Sequence, residues 1–144
     1  MSEKQTLADR ITDIVRTYHT IPADTPDIIG LIGIRKNLTI LLFGFSRELG
    51  ELYSEKTGAE FRRKSGEAKK YTAIVATGES SAKAEKLARD QSEDLYKEEA
   101  LADAIYRAAD MIRYQANEVC SCLQQHIANV RQEHRQEMTG TGSQ

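Results

Sequence analysis

The chain has 144 residues and a mass of 16.2 kDa, enough for one domain with a single core. Charged residues make up 29 % and aromatic residues 6 %, and there are two prolines, a composition that favours long helices over a compact sheet. Twenty Lys and Arg against 22 Asp and Glu leave a net charge of −2, so a charge-based function requires local segregation of charge.

The first element is a predicted N-terminal amphipathic helix over residues 1–20. Its apolar residues follow a single helical stripe of Leu7, Ile11, Ile14, Val15 and Tyr18. A linker over 21–26 contains two prolines, Pro22 and Pro26, which end the helix because proline lacks the amide donor.

The second element is a long helix over 27–76. Five large apolar residues recur at heptad steps between Leu38 and Leu52. Gly58 and Gly66 lie further along, and the sequence leaves open whether they bend this helix or split it. The polar stretch 77–81 predicts a helix stop, a short turn and a new N-cap.

The third element is a second long helix over 81–137, whose apolar residues continue at steps of three and four through Leu101, Ile105, Ile112 and Val119. His126 falls on the same stripe and is interpreted as a packed or interfacial side chain. The tail, 138–144, is polar and rich in glycine, and is predicted to be disordered.

These elements predict an all-α fold, in which residues 27–137 form a long antiparallel, coiled-coil-like hairpin behind the short N-terminal helix. Two paired helices have too little mutual contact to cover their apolar residues, so self-association into a homo-oligomer is expected. The predicted oligomer seam comprises Leu38, Leu42, Phe45, Leu49, Leu52, Leu101, Ile105, Ile112, Val119 and Leu123.

Targeting, membrane and metal signals are weak. No secretory signal is visible at the start, and the most apolar stretch, 28–45, is interrupted by Arg35 and Lys36, so neither a membrane span nor a membrane partner is expected. Cys120 and Cys122 are two apart and point to different sides of a helix, so they cannot share a metal or pair together. Reduced thiols fit a cytoplasmic protein, and no cofactor is expected.

Charge is segregated between the two long helices. Residues 55–72 carry six cations and three anions, a net of +3, and residues 90–118 carry eight anions and three cations, a net of −5. Cations beside aromatic rings are what single-stranded nucleic acid requires, and oligomerisation would multiply the contacts. The predicted nucleic-acid contacts are Lys56, Arg62, Arg63, Lys64, Lys69, Lys70 and Tyr71. The acidic helix would stay free for a partner protein.

Residues 36–133 resemble the UvsY-type recombination mediators of phages. Four features follow in order: a leucine-rich helix at 38–53, the basic segment AEFRRKSGEAKKY at 59–71, the helix start SAKAEKLARD at 81–90, and a heptad stretch over 108–130.

The resemblance implies a phage-encoded homo-oligomer in the bacterial host cytoplasm. It would bind single-stranded DNA and help load a RecA-like recombinase, without enzymatic activity of its own. The family contacts DNA through a short basic run on the first long helix. The matching positions are Arg62, Arg63 and Lys64, with Lys56 and Lys69 nearby.

Two other functions remain open. Glu48 and Glu51 look like the first half of the Mg²⁺ site of MazG-like nucleotide pyrophosphohydrolases, with Glu99 and Asp103 as the nearest second half. The simpler interpretation is that Glu48 and Glu51 are solvated charges beside a leucine seam. Alternatively, the heptads alone fit a structural or adaptor protein, of a virion or an assembly pathway, that does not bind nucleic acid.

Overall fold

The structure is a computed structural model that describes residues 4–140, and its regular elements in that range are all α-helices. The helices are α1 (Leu7–Thr20), α2 (Ile28–Ala76), α3 (Ser81–Asp90) and α4 (Glu93–Gly140). The predicted all-α class, with a short N-terminal helix and long helices behind it, is confirmed.

Local side-chain capping explains where the first two helices begin. The Thr6 hydroxyl accepts from the Asp9 amide at 3.1 Å, and the Asp9 carboxylate accepts from the Thr6 amide at 3.1 Å, which is a capping box. α1 therefore begins at Leu7, later than predicted. The Asp27 carboxylate accepts from the Gly30 amide at 3.0 Å at the start of α2.

α2 is continuous through Gly58 and Gly66, so these glycines do not split the helix. Gly66 has a packing role as well. A Cβ added there would lie 2.6 Å from Leu95 Cδ1, so the missing side chain allows α2 to approach α4 closely. The prediction of a turn after Ala76 is confirmed, because Gly78 has φ +92° and the Ser80 hydroxyl caps α3.

Two predictions about the last third of the chain are wrong. The expected single helix after the turn is interrupted at Gln91 and Ser92, so α3 and α4 are separate helices. Ser92 is fully buried and its hydroxyl donates to the Ala88 carbonyl oxygen at 2.7 Å. The tail also begins later than expected, because residues 138–140 belong to α4, while 141–144 lie outside the described residues.

The helices divide into two compact units. The terminal unit consists of residues 4–47 and 109–140, and its core is made of large aliphatic and aromatic side chains. α2 and α4 are antiparallel in it, since Arg35 contacts Gln124 while Thr39, one turn later on α2, contacts Cys120, one turn earlier on α4. The buried core residues are Ile11, Leu31, Leu38, Leu41, Phe45, Ala109, Ala116, Val119, Leu123, Ile127 and Val130.

The turn unit consists of residues 48–108, and its buried side chains are small. They are Ala59, Ala84, Ala88 and Ser92. α2 and α4 are antiparallel here as well, and the side chains that join them are mostly charged or aromatic.

The two cysteines and His126 lie in the terminal unit. Both thiols are free. Burial raises the pKa of the Cys120 thiol, which favours its protonated form. His126 is half-buried, and its Nε2 lies 3.2 Å from the carbonyl oxygen of Thr25 in the linker.

Candidate nucleic-acid interface

Arg63 is the centre of the predicted basic site, and the structure encloses it in carboxylates. Its Nε donates to Glu99 of α4, and its Nη1 lies 3.3 Å from a Glu67 oxygen. The guanidinium also stacks on the Tyr96 ring at 4.8 Å, and the side chain is only 17 % exposed. Arg63 therefore has little surface left for a phosphate.

Lys56 is held in a similar way. Its ammonium lies 3.3 Å from Asp103 and 5.1 Å from the centroid of the Tyr106 ring. Tyr106 in turn packs edge-on against Tyr53, with ring centroids 5.5 Å apart. The lysine thus joins α2 to α4 through an ion pair and a cation–π contact.

Arg62 and Lys64 are more exposed, and each has an acidic partner. Arg62 Nη2 lies 3.0 Å from Glu98 on α4, with both side chains about half exposed. Lys64 pairs with Glu60 one turn earlier on α2. Exposed pairs of this kind are weak and exchange readily with solvent. Arg62 and Lys64 are therefore paired with carboxylates but remain accessible to solvent.

The last three predicted residues differ from the others. The Lys70 ammonium donates to the carbonyl oxygen of Gln91, where the helical ladder is interrupted between α3 and α4. Tyr71 shares a hydrogen bond of 2.9 Å with Ser81. Lys69 is exposed, and the structure between residues 4 and 140 shows no ion pair for it.

Titration shifts follow from these contacts. The hydrogen bond to Glu99 raises the pKa of Arg63, so the guanidinium stays charged. Burial acts to raise the pKa of Asp103, but hydrogen bonds from Lys56 and Arg107 outweigh it and hold the pKa below 3.8. The hydrogen bond that Tyr96 donates to Glu67 raises the pKa of that phenol.

The expectation that the acidic segment of α4 stays free is therefore wrong in the turn unit. Glu98, Glu99 and Asp103 pair with cations of α2. The segregated charges in the sequence are complementary halves of one intramolecular contact. Opposite charges at a few ångströms compensate each other, so little net positive field remains for a polyanion.

Two grooves in the turn unit have linings of both signs. One has a volume of about 310 Å³ and is lined by Arg63, Lys64, Glu67, Ala68, Tyr71, Glu85 and Ala88. The other, of about 490 Å³, is lined by Lys56, Glu60, Arg63, Tyr96, Glu99, Ala100, Asp103 and Arg107. A phosphate in either groove would lie beside carboxylates, which disfavours anion binding.

In the MazG-like alternative, the second pair of metal ligands would be two carboxylates that already form these ion pairs. Glu99 is bound to Arg63, and Asp103 is bound to Lys56 and Arg107. Across residues 4–140, the His, Cys, Asp and Glu side chains form no group of three or more that could hold a metal ion.

The residues of the predicted oligomer seam divide into buried and exposed sets. Most lie inside the chain's own helix pair, and this corrects their assignment to a surface between subunits. Leu38, Phe45, Val119 and Leu123 are buried, and Leu42, Leu49, Leu52 and Ile112 are half-buried. Leu101 and Ile105 are 64 % and 45 % exposed, so they remain available to a partner.

The main feature that the sequence interpretation missed is an apolar face on α2, opposite its core face. We name it the α2 stripe, and it consists of Ile29, Ile32, Ile40 and Phe43. Ile29 and Phe43 are each 85 % exposed. The steps of three and four that reveal a core face are present in this stripe too, with Lys36 at its middle, and were available in the sequence.

By length and composition α2 could cross a membrane, because an 18-residue window within it has a mean hydropathy of 1.6. Only 22 % of that window is buried. The window is thus unlike a core helix of a soluble protein, which would be mostly covered.

Comparisons of the chain with protein-family models, with curated proteins and with solved structures found no match.

Proposed function

We propose that this protein is a self-associating adaptor, which assembles with further copies of itself and holds other macromolecules without transforming a substrate. The observation that carries the proposal is the α2 stripe. Four large apolar side chains project to solvent from a helix whose opposite face is already buried in the terminal unit.

The free energy available at this face is substantial. Burying a large apolar side chain contributes about 1.5–3 kcal/mol relative to leaving it exposed. Four such residues on about four turns of one helix form a single stripe rather than scattered surface residues. Contiguous exposed patches mark sites of association, so we expect a protein surface to cover this one.

The ion pairs of the turn unit support the same proposal. A protein that grips phosphates needs uncompensated cations, whereas Arg63 and Lys56 are used to join α2 to α4. Their role in the hairpin is to stiffen it and hold its register. A stiff hairpin with an open apolar face suits assembly.

Sedimentation velocity over a wide range of concentrations tests this function. We expect the wild type to sediment as an assembly, and Phe43→Glu to shift it toward a single subunit because a carboxylate would be buried at the contact. The matched control is Ala128→Glu, which adds the same charge at an exposed position of α4 that is not part of the stripe. A wild type that remains a folded monomer at every concentration would contradict the proposal.

Single-stranded DNA binding is the second candidate, and a specific observation favours it. Lys69 and Lys70 have no carboxylate partner among the side chains of residues 4–140. They are adjacent in the basic segment that carries the resemblance to recombination mediators. In this version, the assembled protein uses these two lysines, rather than the arginines, to contact phosphates, and a RecA-like recombinase is the proposed protein partner.

Fluorescence anisotropy with a labelled oligothymidylate tests the second candidate. If the lysines contact phosphates, Lys69→Gln with Lys70→Gln should weaken binding and reduce the salt slope by about 1.4, the value for two contacts on a single strand. Arg62→Ala with Arg63→Ala should mainly lower the melting temperature. If the wild type does not retain the oligonucleotide at low salt, this candidate is wrong and the adaptor proposal is unaffected.

A further inference from the structure

We propose that copies of this chain join head to tail, with the α2 stripe of one copy packed on the exposed face of α4 in the turn unit of the next. We name this second face the α4 stripe; it consists of Leu101, Ala104, Ile105 and Ala108. The inference rests on the proposed self-association and specifies its geometry.

The two stripes belong to different units and differ in the size of their side chains. All four α4 residues are exposed and follow steps of three, one and three, which places them on one side of the helix. The α2 stripe has only large side chains, whereas half of the α4 stripe is alanine. Large side chains on one helix fit against the low surface that alanines leave on another.

Charge disfavours the pairing of two α2 stripes. Lys36 lies at the middle of the α2 stripe, and residues 28–46 contain no Asp or Glu. A symmetric contact centred on this lysine would bring the Lys36 ammonium groups of both copies together. Like charges placed together at an interface oppose association.

The α4 stripe offers the opposite charge at its edge. Asp94 lies seven residues before Leu101, and therefore on the same side of α4. It is exposed, and no ion pair is shown for it in the part of the chain that the structure describes. Lys97 nearby is already paired with Glu93. A carboxylate at this edge complements Lys36 at the middle of the α2 stripe.

Coverage of the exposed apolar surface gives a third argument. Ile29 to Phe43 spans about 21 Å of helix, which alone is small beside the roughly 800 Å² per partner of a standard interface. A symmetric α2 contact would leave Leu101 and Ile105 in water. A head-to-tail contact covers both stripes in each copy, so every subunit has two interfaces. Such contacts generate rings or filaments.

Complementation between two blocked variants tests the geometry. Phe43→Glu blocks the α2 stripe and leaves the α4 stripe intact, and Ile105→Glu does the reverse. Each variant alone should be a monomer by native mass spectrometry. An equimolar mixture should give a dimer containing one copy of each variant and nothing larger, because only one compatible pair of faces remains. Ala128→Glu should assemble like the wild type, and thermal melts should show that all variants fold.

Three results would overturn the head-to-tail geometry while leaving self-association in place. A symmetric α2 contact predicts that Phe43→Glu is monomeric, that Ile105→Glu assembles normally and that the mixture gives no mixed dimer. If both variants still assemble, the interface lies elsewhere. If both are monomers and the mixture stays monomeric, the two faces do not meet.

A monomeric wild type would instead remove the proposed function itself. In that case, co-sedimentation with phosphatidylglycerol vesicles, lost in Phe43→Glu, would assign the α2 stripe to a membrane surface. The wild-type mass thus separates failure of the function from failure of the geometry.

Discussion

The terminal unit and the turn unit contain the same two long helices, held together by different interactions. In the terminal unit, α2 and α4 bury large residues such as Leu38, Phe45 and Leu123. In the turn unit the buried side chains are alanines and Ser92, and Arg63 and Lys56 reach across to α4. One helix pair thus changes from apolar packing to electrostatic pairing along its length.

The difference shows what each kind of contact contributes. A core of large residues is sensitive to lost volume, since a cavity cannot be refilled fully. Ion pairs between partly exposed side chains are sensitive to the loss of one partner, to salt and to pH. The two units should therefore respond differently to the same kinds of perturbation.

The largest expected effect is loss of volume in the terminal unit. Leu123 is fully buried, so Leu123→Ala should lower the free energy of unfolding by about 2–5 kcal/mol. Urea denaturation measures the loss, and amide hydrogen exchange should place it mainly in the terminal unit. The exposed control Asn37→Ala should change stability by less than about 0.5 kcal/mol. A comparable loss in both variants would contradict the core assignment.

Removal of the central cation should have the next largest effect, in the turn unit. Arg63→Met keeps much of the apolar stem but leaves Glu99 without its cation and Glu67 with only the Tyr96 hydroxyl, so we expect a loss of roughly 1–3 kcal/mol. Lys64→Met removes a charge at the neighbouring, exposed position and should cost less. A double-mutant cycle with Glu99→Gln measures the coupling directly. Zero coupling would mean that the pair does not hold the helices together.

Two glycines of α2 in the turn unit should respond oppositely to alanine. A Cβ at Gly50 meets no atom within 4 Å, so Gly50→Ala should stabilise the protein by about 0.5–1 kcal/mol through helix propensity. A Cβ at Gly66 meets Leu95 Cδ1 at 2.6 Å, and the strain should offset that gain. Thermal melts of the two variants make the comparison. Equal stabilisation would show that α2 and α4 are not in close contact at Gly66.

The smallest expected effect is on the pH dependence of stability. The pKa of Asp103 in the folded protein lies below its ordinary value of 3.8, because its hydrogen bonds to Lys56 and Arg107 outweigh burial. The ionised carboxylate therefore contributes stability above pH 3.8, and this contribution is lost as the pH falls through the folded pKa. Asp103→Asn should make stability in this acidic range less dependent on pH. Unfolding curves at neutral and acidic pH test it, and an unchanged dependence would contradict the contact.

The candidate site was only partly predictable. The charged segments were visible in the sequence, but that they pair with each other was not, because no sequence pattern states which carboxylate faces which cation. The break before α4 had a local signal that was overlooked: Ser92 followed by Glu93 and Asp94 is typical of a helix start.

Leu101 and Ile105 show a second limit. Their heptad spacing is regular, yet the half-buried positions of α4 nearby are Ala102 and Tyr106, one residue further along. Alanine is a weak hydrophobic signal, so periodicity favoured the larger residues. The rotation of α4 against α2 decided otherwise, and it places Leu101 and Ile105 on the exposed side.

Local features of the sequence were sufficient to predict the helical class, the proline linker and the turn at Gly78. Apolar spacing, helix caps and helix-breaking residues each act over only a few residues. Tertiary structure alone decided which apolar stripe became core and which remained open. It also decided that the basic segment faces carboxylates instead of solvent. These outcomes depend on the rotation and register of two long helices against each other, and those are set by contacts between residues far apart in the chain.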